Sequence, residues 1–109
     1  MATTKAKITD TQRIVLQRMG KGHTLESHYT VEGDLVTRNG SAWIYDPSHY
    51  SPTSGYHSVL PSTFAALKRM ELVEEERRWK SGTHMQGDRT WDTWTIQWIL
   101  TERGKQEQG

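Results

Sequence analysis

The chain contains no cysteine among its 109 residues, which excludes disulfide staples and thiolate zinc sites and leaves the fold to be held by its core alone. Long apolar runs are missing as well: no stretch approaches the ~18 residues that a membrane-spanning helix needs, and no signal-peptide apolar region follows Met1. A reducing, cytoplasmic setting is the expectation. Phenylalanine occurs once, proline three times, and hydrophobic residues make up only 33% of the chain, so a single domain with a small core is expected. Charge of one sign is also scarce. The formal net charge is +1, little for a protein that grips phosphates, because each neutralised phosphate contributes to affinity through counterion release.

What the chain does hold is aromatic surface, five tryptophans and four tyrosines, whose rings bury large areas and partly offset the scarcity of aliphatics. Charge is also unevenly placed. Residues 1–21 carry five basic side chains against one acidic, residues 22–62 one against four, and the remainder eight against eight. The order of elements follows from periodicity and punctuation. Residues 1–8 are polar and read as a flexible N-terminus, ahead of a domain over 9–109. Asp10 is placed to cap a first helix reaching Met19, with Ile14, Val15, Leu16 and Met19 on its apolar face, and Gly20 and Gly22 to end it. Residues 23–31 and 35–38 are β-prone runs around Glu32-Gly33-Asp34 and predict a hairpin. Asn39-Gly40 reads as a second turn, followed by a short strand over Ala42–Tyr45. Residues 46–58, rich in serine, proline and glycine, predict a surface loop.

The stretch from Pro61 to Gly104 carries the clearest pattern. Phe64, Leu67 and Met70 recur every third position and predict a helix over 62–70, with Ser62 as its cap and Thr63, Ala66 and Lys68 on the outer face. Leu72 and Val73 lead into a strand, Gly82 to Gly87 reads as its turn, and Trp94, Ile96, Trp98 and Leu100 alternate as one face of a returning strand. Thr101 and Glu102 open a closing helix that Gly104 limits. The fold class expected is therefore α+β and winged-helix-like, with a β-hairpin inserted between the first and second helices and a C-terminal two-stranded wing.

Each candidate site has two readings. The loop over 46–58 is either a connector or a contact surface, since Tyr45, His49, Tyr50, Tyr56 and His57 are amphipathic side chains of the kind enriched at interfaces. The second helix would enter a DNA groove with Ser62 and Thr63 near its start and Lys68 and Arg69 toward its end. Yet no Asn or Gln sits on it to read bases. Arg77, Arg78 and Lys80 follow the acidic run Glu74-Glu75-Glu76 and face Arg89 across the wing, either to touch phosphate or to keep an edge strand soluble. Trp79 and Trp91 are read as a pair across the ribbon or as a base-stacking platform. No metal site is expected, because His23 and His28 fall on opposite faces of a strand and lack a His-Glu-x-x-His context. No nucleophile elbow, phosphate-binding glycine loop or cysteine nucleophile is present, so neither an enzyme nor a cofactor is expected.

Thr11-Gln12-Arg13-Ile14-Val15-Leu16 with Gly20-Lys21-Gly22, then Thr63 through Val73, then Leu100-Thr101-Glu102-Arg103-Gly104-Lys105 together resemble a family of small bacterial and phage winged-helix-like proteins. The Leu-Thr-Glu-x-Gly ending is similar to that of winged-helix transcription regulators. A hairpin in place of a bracing helix resembles the toxin family that inhibits a host topoisomerase, and small anti-CRISPR-like phage inhibitors. One departure is Glu71, at a turn position where related proteins commonly have glycine. The resemblance implies a non-enzymatic phage or mobile-element inhibitor that binds a host nucleic-acid-processing protein, for example a Cas nuclease or a topoisomerase. Tyr50, Tyr56, His57, Arg77, Arg78, Trp79 and Trp91 would be its contacts, in a monomer or homodimer. The alternative is a winged-helix regulator binding double-stranded DNA through Ser62, Thr63, Lys68, Arg69, Arg77, Arg78, Lys80 and Arg89.

Overall fold

A computed structural model describes residues 7–49 and 56–107. The chain runs α1 (Asp10–Gly20), β1 (Thr24–Glu32), β2 (Leu35–Tyr45), a 3-10 turn (Pro47–His49), β3 (Tyr56–Val59), α2 (Pro61–Arg69), β4 (Val73–Gln86), β5 (Arg89–Leu100) and α3 (Glu102–Glu107). The fold is α+β. All five described strands form one antiparallel sheet in the order β3-β2-β1-β5-β4. The hairpin and the ribbon expected as separate units are thus joined, because β5 pairs with β1 from Leu25 opposite Trp98 to Val31 opposite Asp92.

Local chemistry sets the element boundaries. Thr9, not Asp10, caps α1: the Gln12 amide donates to Thr9 Oγ1 at 3.2 Å, and the Thr9 amide donates to Gln12 Oε1 at 3.1 Å. This reciprocal pair satisfies two orphan donors at once. Asp10 falls in the first turn, where its charge complements the helix dipole. Gly22 adopts φ +97° just past the helix end, whereas Gly20 is its last residue. On α1, Val15 and Leu16 are buried, Met19 is partly so, and Ile14 stays 47% exposed. Ile8, assigned by sequence to a flexible tail, packs against the core; residues 1–6 lie outside the described residues.

Helix α2 begins at Pro61, whose fixed φ and missing amide suit the first helical position. Leu60 occupies the cap without a side-chain bond, so Ser62 is not the cap. The buried residues are Thr63, Phe64, Ala66, Leu67 and Met70, spaced i, i+1, i+3, i+4 and i+7, the full width of an amphipathic stripe. The period-three reading was too narrow, and Thr63 and Ala66 face the core instead of solvent.

Register shifts replace two expected turns. Strand β2 runs unbroken through Asn39-Gly40: Tyr29 pairs with Asn39 and His28 with Ser41, leaving Gly40 as the extra residue of a bulge. Likewise β4 runs through Gly82 to Gln86, and the reversal is made at Gly87, φ +61°, and Asp88. Residues 46–58 hold the 3-10 turn and the first three residues of β3, so strand pairing with Ala42–Tyr45 occupies the end of what reads as loop.

The core lies on one face of the sheet. Leu25, Ala42, Ile44, Val59 and Val73 from the strands meet Val15 and Leu16 of α1, Phe64, Ala66 and Leu67 of α2, then Met70 and Leu72, with Trp98 and Leu100 packed against them. Trp98 sets its ring edge-on to Phe64 at 5.2 Å and 81°, and its Nε1 donates to Ser27 Oγ at 2.8 Å. An aromatic pair of this kind is worth about 0.5–1.5 kcal/mol beyond its buried area.

A compact lock closes the chain. Thr101 Oγ1 donates to the Glu71 carbonyl at 2.6 Å and accepts from the Gly104 amide at 3.0 Å, while the Thr101 amide donates to the Leu72 carbonyl at 3.1 Å. Gly104 is buried against Leu72, and a Cβ there would overlap the Leu72 carbonyl oxygen. Glu71 takes φ +57°, a left-handed conformation costing a non-glycine residue about 1–2 kcal/mol.

Two opposite outcomes are expected in urea denaturation. Gly104→Ala should lower stability by about 1–3 kcal/mol through overpacking. Glu71→Gly should raise it by up to about 1 kcal/mol, the relieved strain being partly offset by unfolded-state entropy.

Candidate functional site

Cross-strand partners share a face, so the register divides the side chains of the sheet into two sets. The helix-bearing face carries Ser27 and Tyr29 from β1, Arg78 and Lys80 from β4, and Asp92, Trp94, Ile96 and Trp98 from β5. The opposite face, against which no described helix packs its core residues, carries Glu26, His28 and Thr30 from β1, Trp43 from β2, Arg77, Trp79 and His84 from β4, and Arg89, Trp91, Thr93, Thr95 and Gln97 from β5.

The bulge that leaves Glu76 unpaired sets β4 parity for the residues after it: Glu75 opposes Trp98, and Arg77 opposes Gln97. As neighbours, Arg77 and Arg78 then point to opposite faces. The basic trio is therefore not one patch: Arg78 and Lys80 lie on the helix side, Arg77 on the open side with Arg89.

On the open face, Trp79 lies opposite Thr95 and Trp91 opposite His84, so the two tryptophans are not a cross-strand pair. Trp91 stacks on His84 at 5.7 Å and 21°. Each tryptophan has an arginine above it, Arg77 at 4.8 Å from the Trp79 ring and Arg89 at 5.9 Å from that of Trp91. Polar bonds hold these side chains in place. Arg77 Nε donates to Gln97 Oε1 at 2.6 Å. Arg89 donates from Nε at 3.2 Å and Nη2 at 2.7 Å to the two oxygens of Glu32, rather than facing the basic trio. Between them runs a hydroxyl chain: Thr95 Oγ1, buried, donates to Ser81 Oγ at 2.9 Å and sits 3.0 Å from His28 Nδ1. The outcome is a braced sheet surface of half-buried tryptophan rings edged by guanidinium groups.

On the helix-bearing face, Tyr29 and Trp94 stack at 6.4 Å and 8°. Arg78 stands 5.3 Å from the Tyr29 ring, donates to Tyr29 Oη at 3.0 Å and pairs with Glu75. Lys80 lies 6.0 Å from the Trp94 ring and pairs with Asp92 at 3.6 Å. Lys68 of α2 leans over Phe64 at 4.4 Å and Trp98 at 5.8 Å. Between α2 and the sheet lies a cleft of about 260 Å³ bordered by Ser27, Tyr29, Phe64, Lys68, Arg78 and Trp98.

The remaining candidates are placed as follows. Ser62 and Arg69 are exposed on α2, but Thr63 is buried and presents no surface to a groove. His57 is exposed on β3, opposite Ile44. Tyr56 belongs to β3, but its side chain, like all of Tyr50, lies outside the described residues. The sequence reading passed over Tyr29, Trp94 and Trp43 as surface residues; Tyr29 and Trp94 share one parity of the β1–β5 register, a signal visible only once those strands are paired. Among the described residues no group of three or more His, Asp or Glu could hold a metal, no buried side-chain nitrogen or oxygen lacks a partner, and no helix is long and apolar enough to cross a membrane. Comparison of the chain with protein-family models, curated proteins and solved structures finds no match.

The bidentate bond from Arg89 holds the Glu32 carboxyl below the usual carboxylate range, and its charge adds to that effect. The paired form therefore persists at and above the ordinary carboxylate pKa and is lost as pH falls through the lowered value. In Arg89→Gln, the Glu32 carboxyl should titrate closer to the ordinary glutamate value; carbon-detected NMR titration of both proteins measures the change.

Proposed function

We propose that the protein is a non-enzymatic binding protein, an inhibitor that docks on a host nucleic-acid-processing protein and blocks it. The observation that carries this reading is the open sheet face of the β4–β5 hairpin, where Trp79 and Trp91 are each overlaid by an arginine. Tryptophan and arginine are the residues most enriched at binding hot spots. Rings held by a sheet lose little freedom on binding, which reduces the entropy penalty of association. Arg78 is not part of this contact set, because it lies on the other face.

The arrangement supports a winged-helix derivative in which β4, β5 and β1 play the three-stranded sheet and the β2–β3 segment stands where regulators keep a bracing helix. Without that helix, α2 lacks the partner that lays a recognition helix across the DNA backbone. The basic side chains are also shared between two faces instead of lining one. A small phage or mobile-element inhibitor of a Cas nuclease or a topoisomerase is the reading these features favour over a groove-reading regulator.

Size-exclusion chromatography with purified candidate nucleases and topoisomerases, followed by their activity assays, tests this directly. A stable complex and lost enzyme activity are expected, and Trp79→Ala or Arg77→Glu should weaken the complex by about 2 kcal/mol or more, the scale of a hot-spot truncation. Specific gel shifts of duplex DNA at physiological salt, without any protein complex, would replace this reading by the regulator.

A further inference from the structure

The helix-bearing face holds a second feature that the protein-docking reading does not use. From α2 to the tip side of the sheet, rings and cations alternate in one stripe. Lys68 lies over Phe64 and Trp98, Arg78 lies over Tyr29, Tyr29 stacks on Trp94, and Lys80 lies over Trp94. Arg78 and Lys80 are each matched by a carboxylate, Glu75 and Asp92. Lys68 is exposed and has no carboxylate in ion-pair reach among the described residues. The stripe therefore ends, at the cleft, in one uncompensated positive charge beside aromatic walls.

We propose that the cleft between α2 and the sheet holds a short segment of single-stranded nucleic acid, with a base against the Tyr29 ring that lines the cleft and a backbone phosphate against Lys68. Three features select this occupant. A planar, anionic ligand matches rings and an ammonium that has no carboxylate partner, which is the pairing of stacking platform and positive groove that sequence-tolerant single-strand binders use. The volume of about 260 Å³ falls just under the ~300–1,000 Å³ of sites for drug-sized ligands, so it suits one nucleotide unit of a strand that continues outside. Tyr29, Phe64 and Trp98 all line the cleft, and Trp94 extends the stripe beside Tyr29, so the cleft has more than one aromatic wall. A duplex is disfavoured because its bases are already stacked and Thr63, one of the two residues near the start of α2 that would approach a groove, is buried.

The site is separate from the open face, so failure of one assignment leaves the other standing. Fluorescence anisotropy of a labelled oligothymidylate with the full chain, at low salt (~50 mM) and again at ~200 mM, measures it. Saturable binding that weakens with salt and exceeds binding of a duplex of equal length is expected. Tyr29→Ala should weaken it at least about fivefold, the lower limit for loss of one stacked base, and Lys68→Gln should flatten the salt dependence. Trp79→Ala on the open face should leave it unchanged. Circular dichroism confirms that each variant folds; because Lys68 is exposed, its substitution keeps the test usable even if Tyr29→Ala does not fold. Absence of binding at low salt, equal affinity for the duplex or for poly-glutamate, or retention of full affinity and salt dependence by Lys68→Gln would each overturn the proposal.

Discussion

The pairing of β1 with β5 is the constraint on which the rest of the molecule depends. It is the junction between the N-terminal strands and the C-terminal hairpin, and Ser27 and Trp98, whose side chains bond across it, are 71 residues apart in sequence. Every other strand pairing is between neighbours in the chain. Closing so long a loop is entropically expensive, and the Trp98 side chain makes three specific contacts at that junction. Trp98 bonds Ser27 on β1, meets Phe64 of α2 edge-on and packs on the main core. One side chain thus ties the two halves of the sheet to the helix layer. The register it helps set decides which residues meet on each face, and so decides what either face can bind.

The lock at the chain's end explains why the Leu-Thr-Glu-x-Gly pattern says more about fold than about function. Thr101 bonds the carbonyl of Glu71 and caps α3, and Gly104 lies where only a hydrogen fits against Leu72. These contacts fasten α3 to the turn that joins α2 to β4, and nothing in them involves an outward-facing group. A protein that must anchor a closing helix over such a turn needs a short hydroxyl and a glycine at this spacing, whatever its partner. Glu71, where a glycine would be relaxed, shows the same lock from the other side. Its positive φ is held by the bond from Thr101 and by the burial of Met70 and Leu72 on either side of it.

Much of the architecture was legible because local signals and tertiary packing agree. Helix α1, the Glu32-Gly33-Asp34 reversal, the alternation from Trp94 to Leu100 and the α2 core residues Phe64, Leu67 and Met70 are found where period and punctuation place them. The turns that the sheet runs through share one physical cause. Asn39-Gly40 and Gly82 have the composition of turns, but a sheet that continues past them absorbs the extra residue as a bulge, and only the partner strand determines which outcome prevails. Residue 76 is a bulge with no glycine to mark it. Thr63 was misplaced for a different reason: a hydroxyl reads as surface, while the width of the α2 stripe is set by how closely the helix packs on the sheet.

The bulges matter most for what the surfaces can do, because side-chain parity in a strand is all or nothing. A single unpaired residue before Arg77 sets which of two adjacent arginines joins the tryptophans of the open face and which joins Tyr29 beside α2. Moving that bulge to the far side of Arg78 would exchange the two arginines, placing Arg77 by Tyr29 and Arg78 on the open face. The net charge and composition of the chain would not change, yet the open face would have its guanidinium one position out of step with Trp79. Charge counts along the sequence therefore carry little information about this protein's partners. The discriminating quantity is what each cation meets on its own face: Arg77 and Arg89 overlie rings and are held by Gln97 and Glu32, whereas Lys68 beside α2 overlies rings and has no carboxylate in ion-pair reach among the described residues.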